Sequence, residues 1–128
     1  MSLEKWVEYG WLRREPTSSG EIKNLLGVVE RSLADSSLEA ASTDLRFIAA
    51  FNATLVAATT ALRASGRRAS PKLIQRFKIF NNKRNKSVYD VAGAVSDQEL
   101  EAMIKLANEL KNTTLAWLQE SHPELLKT

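Results

Sequence analysis

Between Thr43 and Ser65 the chain runs without a glycine or a proline and carries Ala49, Ala50, Ala53, Ala57, Ala58, Ala61 and Ala64. Alanine is the best helix former and adds no bulk beyond its methyl group, so this segment predicts a helix that neighbouring helices can approach closely. It is the expected centre of the fold. Glycine and proline are scarce elsewhere too, 5 and 3 in 128 residues, and they fall between segments of helical periodicity. No stretch alternates with period two for long enough to predict a strand.

A first helix is expected from about Leu3 to Arg14, carrying Trp6, Tyr9 or Gly10, and Leu12. It stops before Pro16, which pushes its predecessor out of the helical region. The second, about Glu21 to Ala34, sets Ile22, Leu25, Leu26, Val29 and Leu33 on one stripe. In the third, Leu45, Ile48, Ala49, Leu55, Val56 and Thr59 read as the apolar stripe, with Asn52 among them. Gly66 then stands where a left-handed backbone costs glycine little. A fourth helix starts at Pro71, favoured at the first helical position, and runs to about Val91 with Leu73, Ile74, Phe77, Phe80 and Val88 inward. Ser96-Asp97-Gln98-Glu99 fits a capping box, opening a fifth helix to about Ser121 through Leu100, Met103, Ala107, Leu110, Thr114, Trp117 and Leu118. Short connections make this an all-α fold, an antiparallel four- to five-helix up-and-down bundle, with residues 1–128 as a single helical domain.

With 44% apolar residues the chain can bury roughly two thirds of its unfolded surface. Cysteine is absent and His122 is the only histidine, which excludes thiolate catalysis, disulfides and zinc-ligand spacings. Neither a metal nor a cofactor is expected. His122 precedes Pro123 at the end of the last helix, where an imidazolium meets the helix dipole favourably. No apolar run reads as approaching the roughly 20 residues of a membrane span, and Met1-Ser2-Leu3-Glu4 lacks the features of a signal peptide. The expectation is a cytoplasmic protein with no membrane partner.

The net charge of +3 conceals a strong segregation. Ten Lys and Arg lie between Leu45 and Tyr89 with no Asp or Glu, and the rest of the chain sums to −7. Charge segregated in this way attracts polyanions before any specific contact forms. Inside the basic stretch Phe77, Phe80, Arg84 and Val88 recur at helical spacing, which sets Arg84 on the apolar stripe of helix four, beside the row Asn81, Asn85 and Tyr89. A buried polar group left unpaired costs about 1–3 kcal/mol, so such residues find each other or a ligand. Two readings stay open for Asn52, Arg84 and Asn85: a buried hydrogen-bond network that fixes helix register, or an anion or nucleotide pocket. Tyr89 then stacks on a base or bonds a phosphate; with a pKa near ~10 it is a poor general base. Arg67, Arg68, Lys72, Arg76, Lys78, Lys83 and Lys86 read either as a solvated face or as polyanion contacts.

Four stretches, in their order and spacing, resemble the HEPN (higher eukaryote and prokaryote nucleotide-binding) domain family: Thr43-Asp44-Leu45-Arg46-Phe47-Ile48-Ala49-Ala50-Phe51-Asn52-Ala53, the helix end Ala61 to Gly66, Lys83-Arg84-Asn85-Lys86-Ser87-Val88-Tyr89-Asp90, and Val95 to Glu99. The resemblance implies an all-α bundle, commonly a homodimer, in a family that includes RNA-cleaving toxins of toxin–antitoxin pairs and partners of small nucleotidyltransferases. It places a ligand site at Arg84, Asn85 and Tyr89, to which Asn52, Lys83, Lys86, Arg67 and Arg68 are added as candidates. Where ribonuclease members carry a histidine after the Arg-polar pair, this chain has Tyr89, so Arg84 and Tyr89 are the candidates for whatever catalysis exists. The expected function is a HEPN-type nucleic-acid or nucleotide-binding module without efficient ribonuclease activity. The alternatives are a weakly active HEPN ribonuclease toxin and a structural or regulatory helical dimer that binds no ligand. RNA or a nucleotide, a second copy of the chain and a small nucleotidyltransferase are the expected partners.

Overall fold

The computed structural model describes residues 3–76, 78–79 and 95–127. Over these the protein is predominantly helical, with a small two-stranded ribbon. The elements in order are α1 (Leu3–Glu8), β1 (Leu12–Arg14), α2 (Ser19–Ser36), α3 (Thr43–Ala64), β2 (Arg67–Ala69), α4 (71–76, with 78 and 79 also helical) and α5 (Asp97–Ser121). A short 3-10 turn, Pro123–Leu126, follows α5.

Each long helix begins on a side-chain cap. Ser18 accepts from the Glu21 N–H, Ser42 from Leu45, and Ser96 from Glu99, whose carboxylate in turn accepts from the Ser96 N–H to complete the expected capping box. Ser70 does the same for the start of α4, with Pro71 at its first position. The expected course of helix four beyond residue 79 to Val91, with Phe77, Phe80 and Val88, lies outside the described residues.

α3 is the middle helix, packed along α2 on one side and along α5 on the other, while α2 and α5 touch much less. Ile22 near the start of α2 meets Ala64 at the end of α3 and Leu118 near the end of α5. At the opposite end Phe47 of α3 meets Leu100 of α5 and Val95. Hence α2 runs antiparallel to α3, and α5 runs parallel to it. Between these ends Val29 and Leu33 of α2 and Ala107 of α5 close on Ala53 and Ala57. The stripes expected for α2 and α5 are those that pack.

Two expectations are corrected. The N-terminal helix does not reach Arg14: Gly10 takes φ +79 and turns the chain, which then pairs as β1 with β2. A three-residue strand is too short to leave a period-two signature, which is why the sequence reading held no strand. The buried face of α3 is also not the one expected. Phe47, Ala50, Ala53, Ala57, Thr60, Arg63 and Ala64 are buried, whereas Leu45 is 50% exposed and Asn52 and Thr59 are exposed. A helix squeezed between two others buries its smallest residues where the backbones come closest, and the larger apolar side chains fall on the margins.

Among the described residues α3 is the helix long and apolar enough to cross a membrane, with a mean hydropathy of 1.5 over its best window. The sequence reading missed this because Asn52 and the end charges Arg46 and Arg63 interrupt the run without outweighing its alanines and leucines. Its alanine face is packed in the core, the position of a central helix.

Candidate nucleic-acid interface

β1 and β2 form an antiparallel ribbon with Leu12 opposite Ala69, Arg13 opposite Arg68 and Arg14 opposite Arg67. Like charges directly opposite each other destabilise a ribbon, so two successive Arg–Arg pairs need neutralising. Three glutamates outside the strands supply this. Glu4 of α1 bridges Arg14 and Arg67, while Glu15 and Glu21 share Arg68. The hydrogen bonds from Arg67 and Arg14 hold the Glu4 carboxyl below its ordinary range, and the bond to Glu15 pushes the Arg68 guanidinium up.

Arg63, at the end of α3, is the buried member of this network. Its Nε and Nη2 donate to Glu21 Oε1 at 3.0 and 2.7 Å, Nη1 to the carbonyls of Glu15 and Arg67 at 3.0 and 2.9 Å, and Nη2 also to the Pro16 carbonyl at 2.9 Å. A guanidinium has five N–H donors, and all are used. Arg63 is therefore an internal bolt that joins α3, β2, the Glu15-Pro16 turn and the start of α2, and it has no donor left for a ligand. Bonds from Arg63 and then from Thr17 hold the Glu21 carboxyl below its ordinary 4.5.

Around this network, α4 and the ribbon's outer face carry cations that no acid compensates among the described residues. Among the described residues Lys72, Arg76, Lys78 and Arg13 take part in no ion pair. Lys72 and Arg76, one helical turn apart, both lie over the indole of Trp11, with Lys72 Nζ 4.2 Å and the Arg76 guanidinium carbon 5.0 Å from the ring centre. The Ser70 N–H donates to the Trp11 carbonyl, so the start of α4 is pinned beside this ring. Trp6, Tyr9 and Trp11 with Leu73 and Arg76 line a cleft of about 410 Å³. It adjoins an apolar cleft of about 400 Å³ that shares Trp6 and Leu73 and includes Leu12, Leu55, Leu62 and Ile74.

The structure thus sorts the residues expected from sequence. Arg84, Asn85, Tyr89, Lys83 and Lys86 lie outside the described residues. Asn52 donates to Ser32 Oγ at 2.9 Å and edges a groove between α2 and α3, nearer the N-terminal end of α3 than Leu55 and Leu62, which line the apolar cleft beside Trp6. Arg67 and Arg68 are partly covered and held by glutamates; the Arg67 Nε is buried without a partner among the described residues. His122 caps α5 through its backbone N–H to the Leu118 carbonyl, with its ring edge-on to Trp117 at 4.9 Å. The sequence reading placed Trp6 and Tyr9 on the first helix without a functional role and did not name Trp11. The available signal was three aromatics within six residues, facing a Lys72–Arg76 pair at helical spacing.

The fold and this face define a predominantly helical protein with a basic, aromatic surface at one end of its central helix. Comparison with protein-family models, with curated proteins and with solved structures finds no match.

Proposed function

We propose that the protein is a HEPN-type module that binds nucleic acid or a nucleotide as part of a toxin–antitoxin or nucleotidyltransferase-associated system, and that it is not an efficient ribonuclease. The observation that carries the binding reading is the distribution of cations. Glutamates and carbonyls consume Arg63, Arg67 and Arg68, yet Lys72, Arg76 and Lys78 stand exposed with no acid paired to them among the described residues. In sequence these three lead directly into Lys83-Arg84-Asn85-Lys86. The family assignment rests on the motif order and is in keeping with the helical architecture.

Binding of labelled single-stranded RNA, followed by anisotropy across a salt series, tests the reading. With about four to six cations on phosphates, affinity falls by roughly two to three decades between about 50 and 200 mM salt. Replacing Lys72 and Lys78 by alanine lowers the slope of log affinity against log salt by roughly one to two. Absence of binding at about 50 mM salt rejects the nucleic-acid reading and leaves the structural dimer. The homodimer belongs to the same proposal, and a light-scattering mass of one chain at tens of micromolar rejects it.

A further inference from the structure

The cleft beside Trp11 combines features that phosphate attraction alone does not require. A cationic surface for a polyanion needs only exposed lysines and arginines. Here the cations are built onto aromatic rings: Lys72 and Arg76 cover Trp11, and Trp6 and Tyr9 are 37% and 58% exposed at the same cleft. Exposing large aromatic surface is unfavourable, and the chain buries another aromatic, Phe47, in its core. These rings sit together at the mouth of a cavity whose volume falls in the range of small-ligand sites.

The ribbon adds one cation, Arg13, with which no acid pairs among the described residues. Side chains alternate across a strand, so Arg13 and its cross-strand neighbour Arg68 face away from the side on which Leu12 is buried. Lys72 and Arg76 of α4 lie over the Trp11 ring, and Arg13 stands two residues along the chain from Trp11. Cations beside an aromatic platform match a strand whose phosphates run along the outside while a base turns inward onto a ring.

We infer that this cleft is a base-stacking site for single-stranded nucleic acid, with Tyr9 and Trp11 receiving an unpaired base while Lys72 and Arg76 turn from the Trp11 ring to the flanking phosphates, joined by Arg13. The inference rests on the polyanion-binding reading above and adds to it the strandedness of the ligand. In a duplex the bases stack on one another and their faces are inaccessible to a protein ring, so the site selects against it. Because every base has a stacking face, stacking on these rings reads strand state rather than sequence.

The test compares four ligands by anisotropy and competition at about 50 mM salt: a single-stranded RNA of about 12 nucleotides, the DNA strand of the same sequence, the duplex RNA, and inorganic polyphosphate of similar charge. The expected result is that both single strands bind, that duplex and polyphosphate bind at least tenfold more weakly, and that tryptophan emission is quenched by the single strands alone. Stacking on a protein ring contributes roughly 5- to 100-fold in affinity per base. Tyr9→Ala and Trp11→Ala therefore each weaken single-strand binding by a factor in that range, Tyr9→Phe restores it, and polyphosphate binding is unchanged in all three. Tyr9 is largely exposed, so Tyr9→Ala keeps the test open if Trp11→Ala fails to fold. Equal affinity for single strand, duplex and polyphosphate, with no effect of the aromatic substitutions, overturns stacking and leaves the polyanion reading standing. Failure of every ligand to bind overturns both.

Discussion

Arg63 at the end of α3 and Glu21 in the first turn of α2, 42 residues apart, share two hydrogen bonds to a single carboxylate oxygen, from Nε at 3.0 Å and from Nη2 at 2.7 Å. The remaining oxygen of Glu21 takes Arg68, and the remaining Arg63 donors take three backbone carbonyls. One ion pair thereby joins both helices to the ribbon. The aromatic cleft is positioned through it, since Trp11 precedes β1 and α4 follows β2.

Replacing Arg63 by alanine leaves the Glu15, Pro16 and Arg67 carbonyls and the Glu21 carboxylate without these donors, and opens a void where the side chain is only 4% exposed. The expected loss is about 2–4 kcal/mol, below the full cost of an orphaned buried charge because Glu21 is partly solvated. Arg63→Lys recovers little, since an ammonium cannot reproduce a planar five-donor fork. Urea unfolding followed by circular dichroism measures both, and a change of less than about 1 kcal/mol for the alanine variant contradicts the bolt.

Acid weakens this end of the protein first. Folding lowers the Glu21 pKa below its ordinary 4.5, so its contribution to stability is complete above that value and is lost as pH falls through the depressed one. Glu4 is shifted in the same direction by Arg67 and Arg14. Stability therefore stays level with respect to these two groups above about pH 5 and declines below 4.5, and Glu21→Gln flattens that decline while lowering the plateau. Urea midpoints across pH 3 to 7, on the order of one point per half unit, read both effects. An unchanged slope in Glu21→Gln removes Glu21 from the acid transition.

The helices were legible in the sequence where a local device marks them. Ser96 with Glu99, Pro71, Gly66 and the Ile22-Val29-Leu33 stripe each signal an end or a face, and each takes the place expected. The ribbon was not legible, because three-residue strands of Leu-Arg-Arg and Arg-Arg-Ala carry no alternation and are held by Glu4, Glu15 and Glu21 from elsewhere in the chain. The same long-range pairing explains why the charge map misled in part. Counting along the chain puts Arg63, Arg67 and Arg68 in an acid-free block, whereas in three dimensions the acids of residues 4 to 21 fold onto them. Asn52 was assigned to the core of α3 because a helix that is apolar around most of its circumference does not declare which face is buried.

Crowding at the centre of α3 is testable by adding bulk. Ala57 is 1% exposed and meets Val29, Leu33, Ala53 and Ala107, so Ala57→Leu forces α2 and α5 apart and costs about 1–3 kcal/mol. The same substitution at the exposed Ala102 of α5 changes stability by less than about 0.5 kcal/mol. Thermal unfolding of the two variants side by side distinguishes a tight alanine seam from a loosely packed one. Equal melting temperatures would show that α3 has room to spare.

The remaining prediction concerns chemistry and rests on the proposed family. Cleavage of RNA by its own 2′-hydroxyl gains a factor of about 10² to 10⁴ from a group that accepts a proton near neutral pH. The residue in that place of the motif is Tyr89, whose phenol ionises only near ~10 in its ordinary state, and the sole histidine, His122, is committed to the α5 terminus against Trp117. Arg84 still supplies positive charge, so binding and cleavage separate: the wild-type protein binds RNA and cleaves it slowly or not at all. Tyr89→His restores the family pattern and raises single-turnover cleavage of a labelled RNA by at least tenfold, and adding Arg84→Ala abolishes the gain. Wild-type cleavage equal to that of Tyr89→His, lost again on Arg84→Ala, makes Tyr89 a working part of a catalytic site and refutes the inactive reading.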